Sequence, residues 1–145
     1  TMSRQSKSGL TLLGNTVASV PASPDTARLE VFPSPRPGRN YEIRIDCPDF
    51  TSLCPVTGQP DFAHLLLEYV PAAHCVETKS LKLHLASYRN VRAFNEDVVH
   101  RILDALVAAC RPKWMRLEGR FAARGGLSLT VVAEHPPRKR AARGG

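Results

Sequence analysis

A cysteine and an aspartate seven residues apart are the residues of this 145-residue chain best suited to catalysis. Cys54 precedes Pro55, and Asp61 follows Pro60, within the run FTSLCPVTGQPDF. Each proline fixes its own φ and restricts the residue before it, so the loop holds the thiol and the carboxylate in place. A thiol beside a general acid/base is the minimum equipment for nucleophilic catalysis. The alternative is a half-buried cysteine that acts as a small hydrophobic residue before a surface turn.

The composition indicates one small domain without export or membrane signals. The length fits a modest core, to which oligomerisation could add burial. No apolar run is long enough to cross a membrane, and no secretory pattern opens the chain. The four cysteines lack CxxC and metal-finger spacing, so we expect a cytoplasmic protein with neither a disulfide framework nor a metal. A zinc site assembled from distant cysteines and histidines is the alternative.

The net charge of +7 is concentrated at the C-terminus. The last eight residues contain four cations, so the rest of the chain carries only +3. Residues 135–145 are therefore predicted to form a basic, mobile tail. Such a tail could contact RNA without sequence preference, but no specific nucleic-acid partner is expected.

Two further regions precede the tail. Residues 1–39 are rich in proline, serine and charge, and they are predicted to form an arm or irregular lead-in. Within this arm there is one apolar knot, made of Leu10, Leu12 and Leu13. Residues 40–134 show regular apolar periodicity instead, which predicts that they form the folded domain. Because this domain contains Cys54 and Asp61, it would be the catalytic domain.

Periodicity within residues 40–134 predicts four strands and two helices. Apolar and charged residues alternate over residues 41–46, which is typical of a half-buried strand. Asn95 is expected to be the N-cap of the second helix, where the acids that follow favour the helix dipole. The predicted order is a strand at 41–46, a strand at 62–70, a helix at 79–88, a helix from 95 that ends before Pro112, and strands at 115–122 and 127–133. This order predicts an α+β fold, an antiparallel four-stranded sheet with helices on one face.

Three segments of the chain, in one order, resemble a single family. They are the Cys54–Asp61 loop, the run VETKSLKL at residues 76–83, and YRN at 88–90 followed by FNED at 94–97. Together they are similar to the NADPH-dependent 7-cyano-7-deazaguanine reductases (QueF-type, short single-module) of queuosine biosynthesis, over roughly residues 9 to 134. The resemblance implies a tunnelling fold whose subunits join their sheets into rings, two of them stacked, with active sites between neighbouring subunits.

The same resemblance implies the reaction and its residues. A nitrile on a deazapurine would be reduced to a primary amine by two NADPH, after Cys54 adds to the nitrile carbon to form a thioimide. Asp61 would manage the protons. The deazapurine would contact Val76, Glu77, Thr78, Phe94, Asn95 and Glu96. The cofactor NADPH would contact Thr78, Lys79, Arg124 and Gly125. Carboxylates suit the donor-rich edge of a guanine-like base.

One position departs from the family pattern, which has histidine where this chain has Asn95. An amide can hydrogen-bond but cannot exchange protons near neutral pH as histidine does. A natural variant that uses Asp61 or water, and a substitution made to trap a complex, both account for it. Other functions also stay open: an amidine-forming transferase on the nitrile in transfer RNA, and a catalytically weakened purine-binding protein. A zinc-dependent pterin-forming relative fits less well because its metal ligands are not recognisable here.

Overall fold

The computed structural model describes residues 20–138, so the predicted apolar knot and the end of the basic tail lie outside the described residues. The elements, in chain order, are β1 (Val31–Pro33), β2 (Ile43–Leu53), β3 (Pro60–Val70), β4 (His74–Val76), α1 (Thr78–Ala86), α2 (Asn95–Cys110), β5 (Trp114–Arg124) and β6 (Leu127–His135). A short 3-10 helix, Ser87–Asn90, follows α1. Within the described part of the chain, no helix is long and apolar enough to span a membrane.

Four strands form the main sheet in the order β2-β3-β5-β6, and every pair is antiparallel. Alternate residues of these strands face the two helices and are buried with them in one core. That core includes Leu65, Leu67, Leu81, Ile102, Leu106, Met115 and Leu117. The predicted α+β class, the antiparallel order and the placement of both helices on one face are therefore confirmed.

The other face of the sheet carries a row of charges, and the apolar side chains of Leu66 and Val132 lie beside that row. Glu68 lies between Arg44 and Arg116, with N–O distances of 3.3 and 3.2 Å. Glu118 continues the row, 3.0 Å from Arg116 and also paired with Arg120. Alternating charges satisfy one another at a face that no helix within residues 20–138 covers, so this row of charges suits contact with water.

The element boundaries differ from the predictions in two instructive ways. Strand β2 continues to Leu53 through a bulge between Cys47 and Phe50, which broke the simple alternation that periodicity detects. The prediction that Asn95 caps the second helix is wrong. Phe94 is the N-cap, with extended backbone (φ −64°, ψ 147°) and no side-chain cap bond, and Asn95 is the first helical residue.

Part of the predicted lead-in is built into the fold. Strand β1 pairs with β4 to form a small second sheet that the sequence analysis did not predict. His84 of α1 bonds through Nδ1 to the carbonyl oxygen of buried Ala27, at 2.8 Å. Arg89 donates from Nη1 to the Pro21 carbonyl at 3.3 Å. The segment from residue 20 to 33 therefore lies against α1 and braces it.

Candidate functional site

The reactive loop connects β2 to β3 and is closed by its own backbone. The Cys54 N–H donates to the Gln59 carbonyl at 2.8 Å, and the Gly58 N–H donates to the Cys54 carbonyl at 2.9 Å. Gly58 has φ +73°, in the left-handed region where a side chain would be strained. These constraints fix the backbone that carries the thiol.

The Cys54 thiol is half-buried and is prepared for deprotonation. Hydrogen bonds from the side chain and backbone of Thr57 and from the Val56 backbone lower its pKa to about 7, and the positive charge of Arg124 adds to this. The Thr57 N–H lies 3.5 Å from Sγ. Because thiolate is the nucleophilic form, a large fraction of Cys54 is reactive at neutral pH.

Asp61 lies near the start of β3, directly opposite Ser52 of β2. Its side chain is only 11% exposed, and its Oδ1 lies 3.2 Å from Nε of Arg124. Arg124 also donates from Nη2 to the Pro60 carbonyl at 2.9 Å. The guanidinium at the end of β5 therefore fixes the carboxylate beside the reactive loop.

A second segment reaches the same end of the sheet. The Leu53 N–H donates to the Val91 carbonyl at 2.9 Å, and the Ala93 N–H donates to the Leu53 carbonyl at 3.2 Å. This short parallel pairing places the start of α2 next to the reactive loop, with Phe94, Asn95 and Glu96 in succession. Phe94 is 63% exposed, so its ring is available to pack on a planar ligand.

Two polar atoms near this loop are buried without a partner. Among the described residues three buried side-chain polar atoms have no hydrogen bond, and Ser52 Oγ and Asn95 Oδ1 are two of them. The third, His84 Nε2, lies on α1. A buried polar atom without a partner is costly, so a bound donor at this end would relieve the cost.

Glu77 is held quite differently, as the buried N-cap of α1. Its carboxylate accepts from the Lys79 N–H at 2.8 Å and the Ser80 N–H at 2.7 Å, and the residue is only 5% exposed. The Glu77 N–H donates to the Glu30 carbonyl at 2.9 Å. The Val76 N–H donates to the Tyr69 hydroxyl at 3.0 Å. Glu77 is therefore a fixed carboxylate with further acceptor capacity on its oxygens.

The predicted site residues fall into two sets at opposite ends of β2. Val76, Glu77 and Thr78 line a groove with Ile43 and Ile45 near the start of β2, whereas Cys54 follows Leu53 at its end. At about 3.3 Å per residue, this stretch of strand separates the two sets by roughly 25 Å. The cysteine end comprises Cys54, Asp61, Phe94, Asn95, Glu96, Arg124 and Gly125. The glutamate end comprises Val76, Glu77, Thr78 and Lys79.

One protomer therefore does not bring all the predicted site residues together. The predicted deazapurine-binding residues are divided between the two ends, and so are the predicted NADPH-binding residues. Thr57, whose hydrogen bonds lower the pKa of the Cys54 thiol, was not among the predicted site residues. The sequence feature that could have predicted this role is a hydroxyl residue three positions after the cysteine, in a turn closed by glycine.

Within residues 20–138, no three histidine, cysteine, aspartate or glutamate side chains are grouped so that they could hold a metal ion. All four cysteines lie in this range and are free thiols. Burial raises the pKa of Cys47, and it raises the pKa of Cys110 to about 11. Cys54 is therefore the thiol that this fold activates.

Comparison with known proteins places the chain in a family. The family model described as "QueF-like protein" matches residues 60–140. A relative from Anaeromyxobacter sp. (strain K) is 56% identical over 110 residues, covering 76% of this chain and 90% of the relative. One from Thioalkalivibrio sulfidiphilus is 59% identical over 107 residues, covering 74% and 83%. One from Thiobacillus denitrificans is 54% identical over 116 residues, covering 80% and 83%. All three are named NADPH-dependent 7-cyano-7-deazaguanine reductase.

A solved structure shows the same fold. The apo archaeosine synthase QueF-Like superposes with a TM-score of 0.61, at 24% identity, over 64% of this chain and 91% of that one. The likeness confirms the predicted tunnelling fold for a single subunit. With its fold, its reactive loop and its relatives in agreement, the chain belongs to the QueF-like family, together with the NADPH-dependent 7-cyano-7-deazaguanine reductases.

Proposed function

We propose that this protein reduces the nitrile of 7-cyano-7-deazaguanine to a primary amine with two NADPH, a step of queuosine biosynthesis. The activated thiol of Cys54, on a rigid loop that ends beside Asp61, is the observation that carries the proposal. Relatives above 50% identity that are named for this activity support it. The four free cysteines suit a reducing compartment, and we assign the enzyme to the cytoplasm on that ground.

Cys54 supplies the covalent step. Its thiolate adds to the nitrile carbon, forming a C–S bond, while the nitrile nitrogen takes up a proton and a thioimide results. A protonated thioimide accepts hydride more readily than a nitrile does, because its carbon is more electron-poor. When bound, NADPH supplies the two hydrides. Addition of the first hydride to the thioimide carbon would give a thiohemiaminal, whose C–S bond breaks as the nitrogen lone pair forms an imine, and this returns Cys54 to its thiolate. The second hydride and a proton would convert the imine to the amine.

Asp61 is the group we assign to proton transfer. It lies at the end of the loop that carries Cys54, and Arg124 holds its carboxylate in place. Asn95 cannot exchange a proton near neutral pH, so its part is to accept a hydrogen bond from the substrate through its unpartnered Oδ1. General acid/base help of the Asp61 kind is worth about 10²–10⁴-fold in rate.

The remaining residues suit the two ligands chemically. The carboxylates of Glu77 and Glu96 are acceptors for the amide and amino donors of a guanine-like base, and the exposed ring of Phe94 would pack on that base. The hydroxyl of Thr78, the ammonium of Lys79 and the guanidinium of Arg124 are donors that phosphates bind. Because these donors lie at opposite ends of one protomer, both ligands need a second protomer.

We therefore place the active site between two subunits of a ring, with the cysteine end of one subunit meeting the glutamate end of its neighbour. The main sheet has two open edges, β2 and β6, and pairing them between protomers would extend the sheet and close a ring. The charged, uncovered face of the sheet would then line the channel. Two stacked rings are the assembly we expect.

The test is NADPH oxidation in the presence of 7-cyano-7-deazaguanine, beside Cys54→Ala and Asn95→His. The proposal predicts two NADPH consumed per nitrile, and no consumption by Cys54→Ala. If only Asn95→His turns over, the site is right and asparagine limits proton transfer. Binding of the nitrile without NADPH consumption by any of the three proteins would contradict the proposal and favour a transferase or a binding protein.

A further inference from the structure

Arg92 is a cation at the cysteine end to which the reaction described above assigns no part. It lies in the short segment that pairs with the end of β2, opposite Leu53. Its backbone is held by the two hydrogen bonds that flank it, from Leu53 to Val91 and from Ala93 to Leu53. The position of this arginine beside the reactive loop is therefore set by the fold.

The side chain of Arg92 packs onto the reactive loop at Gly58. A methyl group at Gly58 would lie 2.5 Å from Nη2 of Arg92 and 3.0 Å from its Cζ. Contact this close is possible only because Gly58 has no side chain. Gly58 thus adopts φ +73° four residues after Cys54, and the guanidinium of Arg92 lies against it.

Arg92 differs from the other guanidiniums around it in having no partner. Arg124 is paired with Asp61 and with the Pro60 carbonyl. Arg89 donates to two backbone carbonyls, and Arg101 stacks on the Tyr88 ring. Arg92 is exposed and makes no hydrogen bond or ion pair with any residue between 20 and 138. Arg92 is therefore a cation beside the reactive loop whose donors can bind an anion.

We infer that Arg92 binds a phosphate group of NADPH and so contributes to cofactor affinity. This inference rests on the proposed function, which brings an anionic dinucleotide to the cysteine end. The cofactor carries a diphosphate and a 2′-phosphate, and an arginine fork suits either of them. Cys54 and Asp61 do the chemistry on the nitrile, so Arg92 is a binding residue and leaves the covalent step unaffected.

The experiment is a titration of the assembled protein with NADPH, followed by cofactor fluorescence, for the unaltered protein, Arg92→Gln and Arg92→Lys. Loss of a charge-assisted bond predicts a Kd for NADPH about 10-fold higher in Arg92→Gln. Arg92→Lys should fall between the two because it keeps the charge. Raised ionic strength should narrow the difference. Arg28→Gln, which removes an exposed charge from the segment over α1, should match the unaltered protein.

A parallel titration with NADH identifies the phosphate. Weaker NADPH binding with unchanged NADH binding assigns Arg92 to the 2′-phosphate, and weaker binding of both assigns it to the diphosphate. A Kd for NADPH within twofold of the unaltered protein would overturn the inference, as would failure of the unaltered protein to bind NADPH. The mass of the protein after incubation with the nitrile alone separates this result from the proposed function. The adduct on Cys54 should form with Arg92→Gln as it does with the unaltered protein.

Discussion

The two ends of β2 are built on opposite principles. At the glutamate end, Glu77 is buried and hydrogen-bonded. Its N–H donates to the Glu30 carbonyl, and its carboxylate accepts from the N–H groups of Lys79 and Ser80. At the cysteine end, Phe94 is exposed, and the buried oxygens of Ser52 and Asn95 have no partner. The glutamate end is buried and hydrogen-bonded like a protein interior. The cysteine end has a nucleophile and polar atoms that a ligand could bind.

This difference suits a division of roles within a small subunit, with substrate recognition at the glutamate end and nucleophilic chemistry at the cysteine end. A rigid, fully bonded carboxylate costs no reorganisation when it binds a base, so it favours recognition. A thiol whose pKa is near 7 must instead be reachable and close to groups that still have bonding capacity. About 25 Å of strand separates the thiol from the glutamate in one chain, and the proposed assembly of protomers would bring them together.

The largest effect on activity is expected from a substitution at the glutamate end. Glu77→Gln keeps the shape of the cap but removes the charge that the base would bind. Loss of a charged hydrogen bond predicts a fall in kcat/KM of about 10- to 100-fold, mostly through KM for the nitrile. The free energy of unfolding should fall by no more than about 1 kcal/mol.

Steady-state kinetics and thermal unfolding of Glu77→Gln measure these effects, with Asp104→Asn on the exposed side of α2 as the control. A variant that loses stability but keeps its KM would show that Glu77 is only a helix cap.

The cysteine end can be tested through Thr57, with a smaller effect. Thr57→Ala removes one of the hydrogen bonds that lower the pKa of Cys54, so this pKa should rise from about 7 toward that of a free thiol. Because the thiolate is the reactive form, alkylation by iodoacetamide should accelerate through pH 7 in the unaltered protein and through a higher pH in the variant. At pH 7 the variant should react up to about 10-fold more slowly.

Burial and the raised pKa of Cys47 and Cys110 keep them from masking this signal, and Cys75 is buried. Thr51→Ala, at the end of β2 ahead of the loop, is the matched control. An unchanged pH midpoint in Thr57→Ala would mean that the loop backbone alone activates the thiol.

Much of the fold could be predicted from the sequence because it depends on local periodicity. The four long strands and two helices each repeat an apolar pattern, and Gly125 and Gly126 mark the turn between β5 and β6 with positive φ at both positions. Strands β1 and β4 have three residues each, too few to show a period, and they form only because they pair with each other. The N-cap was misassigned because Asn95 favours that position chemically, while backbone geometry puts Phe94 there.

Which residues form the candidate site stays a prediction, and the sequence did not show how those residues are arranged. Cys54 and Asp61 share one loop, so their proximity follows from the chain itself. The resemblance implied sites between subunits, but it did not say where the set divides. That division depends on the length of β2 and on the direction of α1 along it. The roles of the individual residues stay predictions until the variants are measured.

In the proposed ring, each active site takes its thiol from one protomer and its glutamate from a neighbour. The most direct test co-expresses Cys54→Ala with Glu77→Gln and measures NADPH oxidation by the mixed assembly. At a nitrile concentration well below KM, Cys54→Ala alone should be inactive, and Glu77→Gln alone should keep only about 1–10% of the rate of the unaltered protein. With random mixing in a head-to-tail ring, about a quarter of the sites contain both native residues, and activity should recover to about that fraction of the unaltered protein. Mixed assemblies that stay as inactive as the separate variants would contradict a site shared between protomers and would place the whole site within one protomer.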